Sequence, residues 1–310
     1  MILNIVLLLT GLALIVFGAD WLVDGSSAIA RKAGISEFVI GLTIVGFGTS
    51  CPELVVSLTG ALQGNADISV GNVVGSNVFN TLLILGLTAV IAPVAVTRSN
   101  RRRDIPIALL VTFLFAAFVT TGTQITRVEG IVFLLVFAAY MFYCFKSDQG
   151  ADEAAEEKVR SLFMAILLVL AGLAGLIFGG QLFVNNATAI ARAVGVSDKF
   201  IAITLLAGGT SFPELATCIV AAAKKKDQLA LGNVLGSNVF NILLILGTSA
   251  VVTPLSTLAL IWVDLGVLLA SAALIWLWTY TGHRDRIDRW EAILMLLLFF
   301  GYYTWLFVKL

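Results

Sequence analysis

Apolar residues in this chain come in long unbroken blocks, not in the spaced stripe of a soluble helix or the alternation of a half-buried strand. Ten stretches are predominantly apolar, roughly 2–19, 37–62, 68–93, 105–121, 125–145, 161–184, 197–222, 228–253, 257–280 and 289–308. Each approaches the about 20 residues that a helix needs to cross the hydrocarbon layer of a bilayer. The pattern predicts an all-α polytopic membrane protein with ten transmembrane helices. The first stretch lacks a basic leader region and an A-x-A cleavage site, and it runs on into Asp20-Trp21-Leu22-Val23-Asp24. It is therefore expected as a retained helix and not as a signal peptide.

Composition strengthens this reading. The 310 residues are 59% hydrophobic and 12% charged, with a mean hydropathy of +1.02, whereas soluble domains carry about 25% charged residues. Nineteen basic and nineteen acidic residues cancel, leaving no basic footprint for a nucleic acid. Cys51, Cys144 and Cys218 all lie in apolar runs and are expected as free, packed thiols. Lys146 to Arg160, with Asp148, Asp152, Glu153, Glu156 and Glu157, reads as a charged cytoplasmic linker between two halves, 1–145 and 161–310. If the N-terminus is placed outside, fifteen Lys and Arg fall in inner loops and four in outer ones. By the positive-inside rule both termini are then extracytoplasmic, in a cell (inner or plasma) membrane.

The two halves repeat at a constant offset of 161 residues. Gly48-Thr49-Ser50-Cys51-Pro52-Glu53-Leu54 returns as Gly209-Thr210-Ser211-Phe212-Pro213-Glu214-Leu215. Gly71-Asn72-Val73-Val74-Gly75-Ser76-Asn77-Val78-Phe79-Asn80 returns as Gly232-Asn233-Val234-Leu235-Gly236-Ser237-Asn238-Val239-Phe240-Asn241. Between 48–93 and 209–254, aligned without gaps, 24 of 46 positions are identical. Five spans separate the copies, so they must cross the membrane in opposite directions. Inverted repeats of this kind mark secondary transporters, whose substrates bind near the midplane where the repeats meet.

Glu53 and Glu214 sit midway along apolar spans. A carboxylate at that depth costs about 2.5–3.5 kcal/mol on insertion scales, which makes it a functional candidate. Pro52 and Pro213 each withhold an N–H and so free carbonyls upstream. Such broken backbone survives at membrane depth only where protein buries it or it lines a cavity. Each half thus offers Thr and Ser hydroxyls (Thr49, Ser50; Thr210, Ser211), one carboxylate and free carbonyls. Ser76, Asn77 and Asn80, with Ser237, Asn238 and Asn241, add oxygens from the following spans. The set is all oxygen, which suits hard cations, and Ca²⁺ takes 6–8 such ligands. Na⁺ is of similar size, and two carboxylates balance one Ca²⁺, or Na⁺, or protons. That equivalence is the chemical basis of an antiporter.

Blander roles fit other residues. Gly71, Gly75, Gly232 and Gly236 have the spacing of close helix packing. Asp20, Asp24, Glu37, Asp67, Asp198 and Asp227 read as solvated or capping residues at span ends, and Lys224-Lys225-Lys226 as a topology signal. Asp264 lies inside the ninth span, where it either lines an ion path or is structural. His283, the lone histidine, reads as a solvated loop residue.

At the two duplicated strings the chain resembles the sodium/calcium exchanger family of the cation/calcium exchanger superfamily, in its prokaryotic ten-helix form. The resemblance implies two inverted five-helix repeats with helices broken at the midplane. The second, third, seventh and eighth helices would surround the ions, and the first and sixth would slide to expose them to each side in turn. By position it implies Glu53 and Glu214 as the calcium-binding acids. Thr49, Ser50, Thr210, Ser211, Ser76 and Ser237 would be oxygen ligands, Gly46 and Ala207 carbonyl ligands, and Asn80 and Asn241 the central polar pair. Some relatives, potassium-dependent ones included, carry Asp where this chain has Asn241, which weakens the case for potassium co-transport. Proton-driven members typically show Gly-Asn-X-X-Glu at the acid, and both strings here read Gly-Thr-Ser-X-Pro-Glu.

The expected function is therefore Na⁺/Ca²⁺ antiport by alternating access, with Ca²⁺ and Na⁺ as substrates, the bilayer as surroundings, and no cofactor or obligatory protein partner. An H⁺/Ca²⁺ antiporter on the same scaffold is the alternative. A cation channel fits less well, since no ring of carbonyls or carboxylates is apparent. Catalysis is not expected, because no H-E-x-x-H is present and Ser50 and Cys51 have no base but Glu53.

Overall fold

The computed structural model describes residues 1–64, 66–148, 150, 161–195, 207–258, 260, 262–282 and 285–309. Asp198, the acidic part of the linker (152–157) and His283 lie outside the described residues. The helices are α1 Ile2–Ala33, α2 Glu37–Thr49, α3 Cys51–Leu62, α4 Ile68–Ile91, α5 Asn100–Thr121, α6 Arg127–Lys146 and α7 Leu162–Ala193. They continue as α8 Ala207–Gly209, α9 Phe212–Ala223, α10 Asp227–Val252, α11 Trp262–Trp278 and α12 Arg289–Lys309. Seven of these are long and apolar enough to span a bilayer, and α2 with α3 forms an eighth span bent by 47°. With the shorter α9 and α11 the chain has the ten-helix architecture of two inverted repeats.

Local chemistry sets the breaks. Ser36 caps α2 by accepting the Val39 N–H at 3.2 Å. At Ser50 the backbone leaves the helix (φ −84°, ψ 5°) and Pro52 opens α3 from its first turn, where a missing N–H costs nothing. Ser211 repeats this at φ −93°, ψ 6°, with Pro213 in the first turn of α9. Among the described residues four spans also carry wide π-type turns, at Gly41–Val45, Phe79–Ile84, Asn100–Asp104 and Phe240–Leu246. Such turns leave carbonyls free of the regular ladder and are frequent at functional sites.

Among the described residues four short strands stitch the halves together. β1 Val94–Ala95 pairs antiparallel with β4 Arg286–Ile287, and β2 Gln124–Ile125 pairs antiparallel with β3 Leu255–Ser256. Each pair joins a loop of one repeat to a loop of the other. One pair therefore lies on the face that bears the linker, and the other on the face that bears the termini.

α10 and α4 form the centre: 89% and 72% of their apolar windows are buried, against 22% for α1. The Gly-x-x-x-Gly of α10 packs as expected, whereas that of α4 does not: a Cβ on Gly71 or Gly75 would meet nothing within 4 Å. A Cβ on Gly232 would overlap the Phe38 carbonyl, and one on Gly236 the Leu42 carbonyl.

α1 and α7 run well past their expected ends, to Ala33 and Ala193, each 32 residues long. At 1.5 Å per residue that is about 48 Å, longer than the hydrocarbon layer. Both are held by glycines seven residues apart. A Cβ on Gly11 would come within 2.7 Å of the Phe183 nitrogen, on Gly18 within 2.8 Å of the Gly172 carbonyl, and on Gly25 within 2.7 Å of the Ala165 carbonyl. Ascending positions on α1 meet descending ones on α7, so the two helices are antiparallel. Asp20 and Asp24 accordingly lie within a helix and not at its end, and both pair with Lys224 at 2.6 Å. Glu37 pairs with Lys226 at 2.8 Å, and Asp264 accepts from the Tyr302 hydroxyl at 2.7 Å.

Candidate ion-binding site

Each Gly-Thr-Ser-X-Pro-Glu string folds into the same broken turn, and the inverted arrangement sets the two turns against each other. The hydroxyl ahead of each break donates across the molecule to the other repeat's acid. Ser50 Oγ donates to Glu214 Oε1 at 2.9 Å, and Ser211 Oγ donates to Glu53 Oε1 at 3.1 Å. Both carboxylates are shut off from solvent, Glu53 at 0% and Glu214 at 1% exposure. The second oxygen of each, Oε2, is buried with no hydrogen-bond partner.

Further oxygens gather around this pair. Thr49 Oγ1 donates to the Val45 carbonyl at 3.0 Å and also faces the Gly46 carbonyl (3.4 Å) and Asn233 Oδ1 (3.2 Å). Ser237 Oγ lies 3.5 Å from Glu214 Oε1, from the Gly46 carbonyl and from Asn233 Oδ1. Asn241 Nδ2 donates to Asn77 Oδ1 at 2.9 Å, and Asn77 Nδ2 donates to the Asn238 carbonyl at 3.1 Å. Asn238 Nδ2 donates to Thr81 Oγ1 at 2.8 Å. The counterpart of Thr81 is Ile242, which cannot accept, so this polar belt is not symmetric.

Several buried oxygens remain unpartnered: Ser76 Oγ, Asn80 Oδ1, Thr210 Oγ1, Asn238 Oδ1 and Asn241 Oδ1, besides the two Glu Oε2 atoms. A buried polar atom without a partner costs about 1–3 kcal/mol. Seven oxygens of the duplicated strings are in this condition, which leaves their lone pairs available to a guest. Among the described residues no three His, Cys, Asp or Glu side chains converge as a metal group. Any cation held here would thus be held by two carboxylates plus hydroxyl, amide and carbonyl oxygens.

Glu53, Glu214, Thr49, Ser50, Ser211, Ser76, Ser237, Asn80 and Asn241 are all buried on the broken turns or on α4 and α10. Gly46 presents its carbonyl to Thr49 and Ser237. Thr210 lies at the break after α8, where it also lines a cavity, and Ala207 opens α8. Sequence reasoning overlooked Asn233 and Asn72. Asn233 holds Thr49 and Ser237 while donating to Cys218 Sγ at 3.3 Å; Asn72 donates to Ser57 Oγ at 3.1 Å and faces the Glu53 carbonyl at 3.4 Å. Their signal was present, since both sit inside the duplicated Gly-Asn string. Cys218 packs as expected, whereas Cys51 is half-exposed on the cavity wall.

The cavity, about 320 Å³, opens beside the site toward the face bearing the termini. It lies between α7 (Gln181, Asn185) and the broken turns (Cys51, Pro52, Thr210, Pro213).

Comparison with known proteins agrees with this arrangement. The family model described as sodium/calcium exchanger protein matches residues 3–146 and 164–308. The chain is 39% identical to the putative antiporter CaxA of Alkalimonas amylolytica, over 99% of both chains. It is 32% identical to the sodium/calcium exchanger MaX1 of Methanosarcina acetivorans, over 98% of both. Among solved structures it superposes on the sodium-calcium exchanger NCX_Mj with a TM-score of 0.86 at 34% identity, covering 98% of this chain and 99% of that one.

Proposed function

Because the chain belongs to the sodium/calcium exchanger protein family, we propose that it is a Na⁺-driven Ca²⁺ antiporter working by alternating access. The family consists of transporters that exchange cations in a membrane, and the finer assignment rests on the site. The observation that carries it is the reciprocal pair Ser50–Glu214 and Ser211–Glu53, with a free carboxylate oxygen on each side. One Ca²⁺ bound between the free oxygens neutralises both acids in a low-dielectric interior, where an uncompensated charge is costly. Na⁺ ions taking the same hydroxyl and carbonyl oxygens neutralise them equally.

In this reading Glu53 and Glu214 bind calcium. Thr49, Ser50, Thr210, Ser211, Ser76, Ser237 and the carbonyls of Gly46 and Ala207 share sodium and calcium, and Asn80 and Asn241 close the centre. Sodium is favoured over protons because each acid is embedded in Thr-Ser-X-Pro-Glu, which supplies hydroxyls for a bare alkali ion. Neutral Asn at both 80 and 241 leaves no third carboxylate to take up an extra proton or potassium ion. The units would be 1–145 and 161–310 around a cytoplasmic linker, in a cell membrane. The excess of Lys and Arg on the linker face makes that face cytoplasmic and places both termini outside.

The test is calcium flux in vesicles of the purified protein, with sodium, potassium and proton gradients imposed separately. A sodium gradient alone should drive uptake. Uptake driven by a pH gradient and indifferent to sodium would replace this reading with H⁺/Ca²⁺ antiport.

A further inference from the structure

The two repeats are alike in sequence, yet the structure holds them in different states. On the terminal-face side α7 still touches the broken turns, Phe183 against Phe212 at 5.4 Å and Val184 beside Gly209, but the 320 Å³ cavity lined by Gln181 and Asn185 lies between it and Val55 and Val56 of α3. Gln181 and Asn185 are exposed, whereas their counterparts on α1, Asp20 and Asp24, are only part-exposed. The oxygens follow the same division. Thr49 and Ser237, on the linker-face side, are hydrogen-bonded, whereas their counterparts Thr210 and Ser76 have unpartnered hydroxyls. The terminal-face side is the open one in the sense that the cavity reaches the broken turns from it, and the linker-face side is the shut one.

The shut side carries charges that the open side lacks. Lys224, just past the end of α9, reaches Asp20 and Asp24 of α1, each at 2.6 Å. The two acids are one turn apart, so a single ammonium bridges both. At the 161-residue offset the equivalents are Gln63, Gln181 and Asn185, all neutral. Lys226 and Glu37 also pair, but both belong to the elements around the ions, so that bridge does not join moving parts. Lys224 joins α9 to α1, the helix that with α7 forms the long glycine-packed pair. Partial burial works against its charge, but hydrogen bonds and attraction from Asp20 and Asp24 keep its pKa above the usual lysine value.

Building on the alternating-access reading above, we propose that Lys224 bridging Asp20 and Asp24 is an ionic clasp. It holds the α1–α7 pair against the core on the linker face and so biases the resting exchanger toward the state open at the terminal face. Opening the other way requires α1 to move off α9, and both ion pairs must then part. The repeat that lacks the clasp has no matching penalty, so the two directions of opening are unequal. The side chains are 29%, 45% and 33% exposed for Lys224, Asp20 and Asp24. Part-exposed pairs each shift a population by at most about fivefold, which suits a bias better than a lock.

The experiment reads accessibility from the linker face with a membrane-impermeant thiol reagent in oriented vesicles of the full-length protein. The reporter is Ala216→Cys in a Cys51→Ser background; Ala216 is the counterpart of Val55, which lines the open cavity. Lys224→Gln should raise the reporter's modification rate by about two- to tenfold. Lys224→Arg, which keeps the charge, should stay near the parent rate, as should the exchange Lys224→Asp with Asp24→Lys. Asp24→Asn, a milder change, should raise the rate less. An unchanged rate in both Lys224→Gln and Asp24→Asn overturns the clasp, and so does a rate that stays raised after the charge exchange. Modification reports shape and not ion coupling. A failure here leaves Na⁺/Ca²⁺ exchange standing, and failure of exchange shows only in the flux assay.

Discussion

At the scale of single residues, two carboxylates dominate because, among the described residues, the other candidate ligands are neutral hydroxyls, amides and carbonyls. Each Glu accepts one serine hydroxyl from the opposite repeat and keeps its other oxygen free. A Glu53→Gln or Glu214→Gln variant retains the shape and removes one of the two charges. Breaking a buried charge balance costs about 3–5 kcal/mol, so calcium affinity should fall by more than about a hundredfold. Each variant should still insert and elute as folded protein, while calcium flux in vesicles drops to background. Near-normal flux in either would sink the two-carboxylate cage. These acids were legible in the sequence, since a charge amid apolar residues is rare and its duplication rarer. That Ser50 serves Glu214 and not the nearer Glu53 was not legible. That choice depends on how the halves dock.

At the scale of elements, spans were easier to read than their ends or their partners. Hydropathy located α1 and α7 but stopped them at Asp20 and at 184, where polar and small residues begin. The helices continue because those residues face protein: Ser26 and Ser27 of α1 and Asn186 of α7 are buried. The seven-residue glycine spacing of α1 (Gly11, Gly18, Gly25) was a visible sign of a close helix contact. Without a hydrophobic drive between helices in lipid, such contacts rest on van der Waals packing. A side chain at Gly18 would strike the Gly172 carbonyl and the Leu176 nitrogen, both at 2.8 Å. Backbone cannot yield as a side chain can. Gly18→Leu should therefore cost at least about 1–3 kcal/mol and lower the melting temperature of the detergent-solubilised protein. Gly301→Ala on α12, with nothing within 4 Å, should leave it unchanged or slightly raised. Equal melting of the two variants would argue against the glycine contact.

At the scale of the whole molecule, inversion sets the two broken turns against each other, each serine facing the other repeat's acid. If sodium and calcium use the same oxygens, they must compete. Calcium alone balances both acids, and adding Na⁺ would leave surplus charge in a low-dielectric pocket. Equilibrium calcium binding should therefore weaken as sodium rises, more steeply than first order if more than one Na⁺ replaces each Ca²⁺. If more than two do so, each cycle moves net charge, and membrane potential should bias exchange by about 2.3 kcal/mol per charge per 100 mV. Calcium affinity indifferent to sodium, measured by isothermal titration, would remove the shared site. Voltage-independent exchange would instead indicate an electroneutral ratio.

By itself the sequence determined that the chain is a membrane protein, that it is a duplicated one, and which oxygens are unusual at membrane depth. These follow from local chemistry: apolar length, a repeat in register, and polar atoms whose burial must be compensated. Tertiary structure alone decided which hydroxyl meets which acid, and that β1 pairs with β4 and β2 with β3. It also decided that Thr49 is bonded while Thr210 is not, and that Lys224 bridges two acids 200 and 204 positions away. Lys224 read as a topology signal because a lysine at a span end is common and its partners lie on a helix from the other half. About half of the aligned positions are identical, and neither repeat read alone shows that Lys224 reaches across to Asp20 and Asp24 while the neutral Gln63, Gln181 and Asn185 make no such ion pair. The difference arises from the rigid placement of α1 and α7 against the core, and placement is a property of packing, which connects residues that the chain keeps far apart.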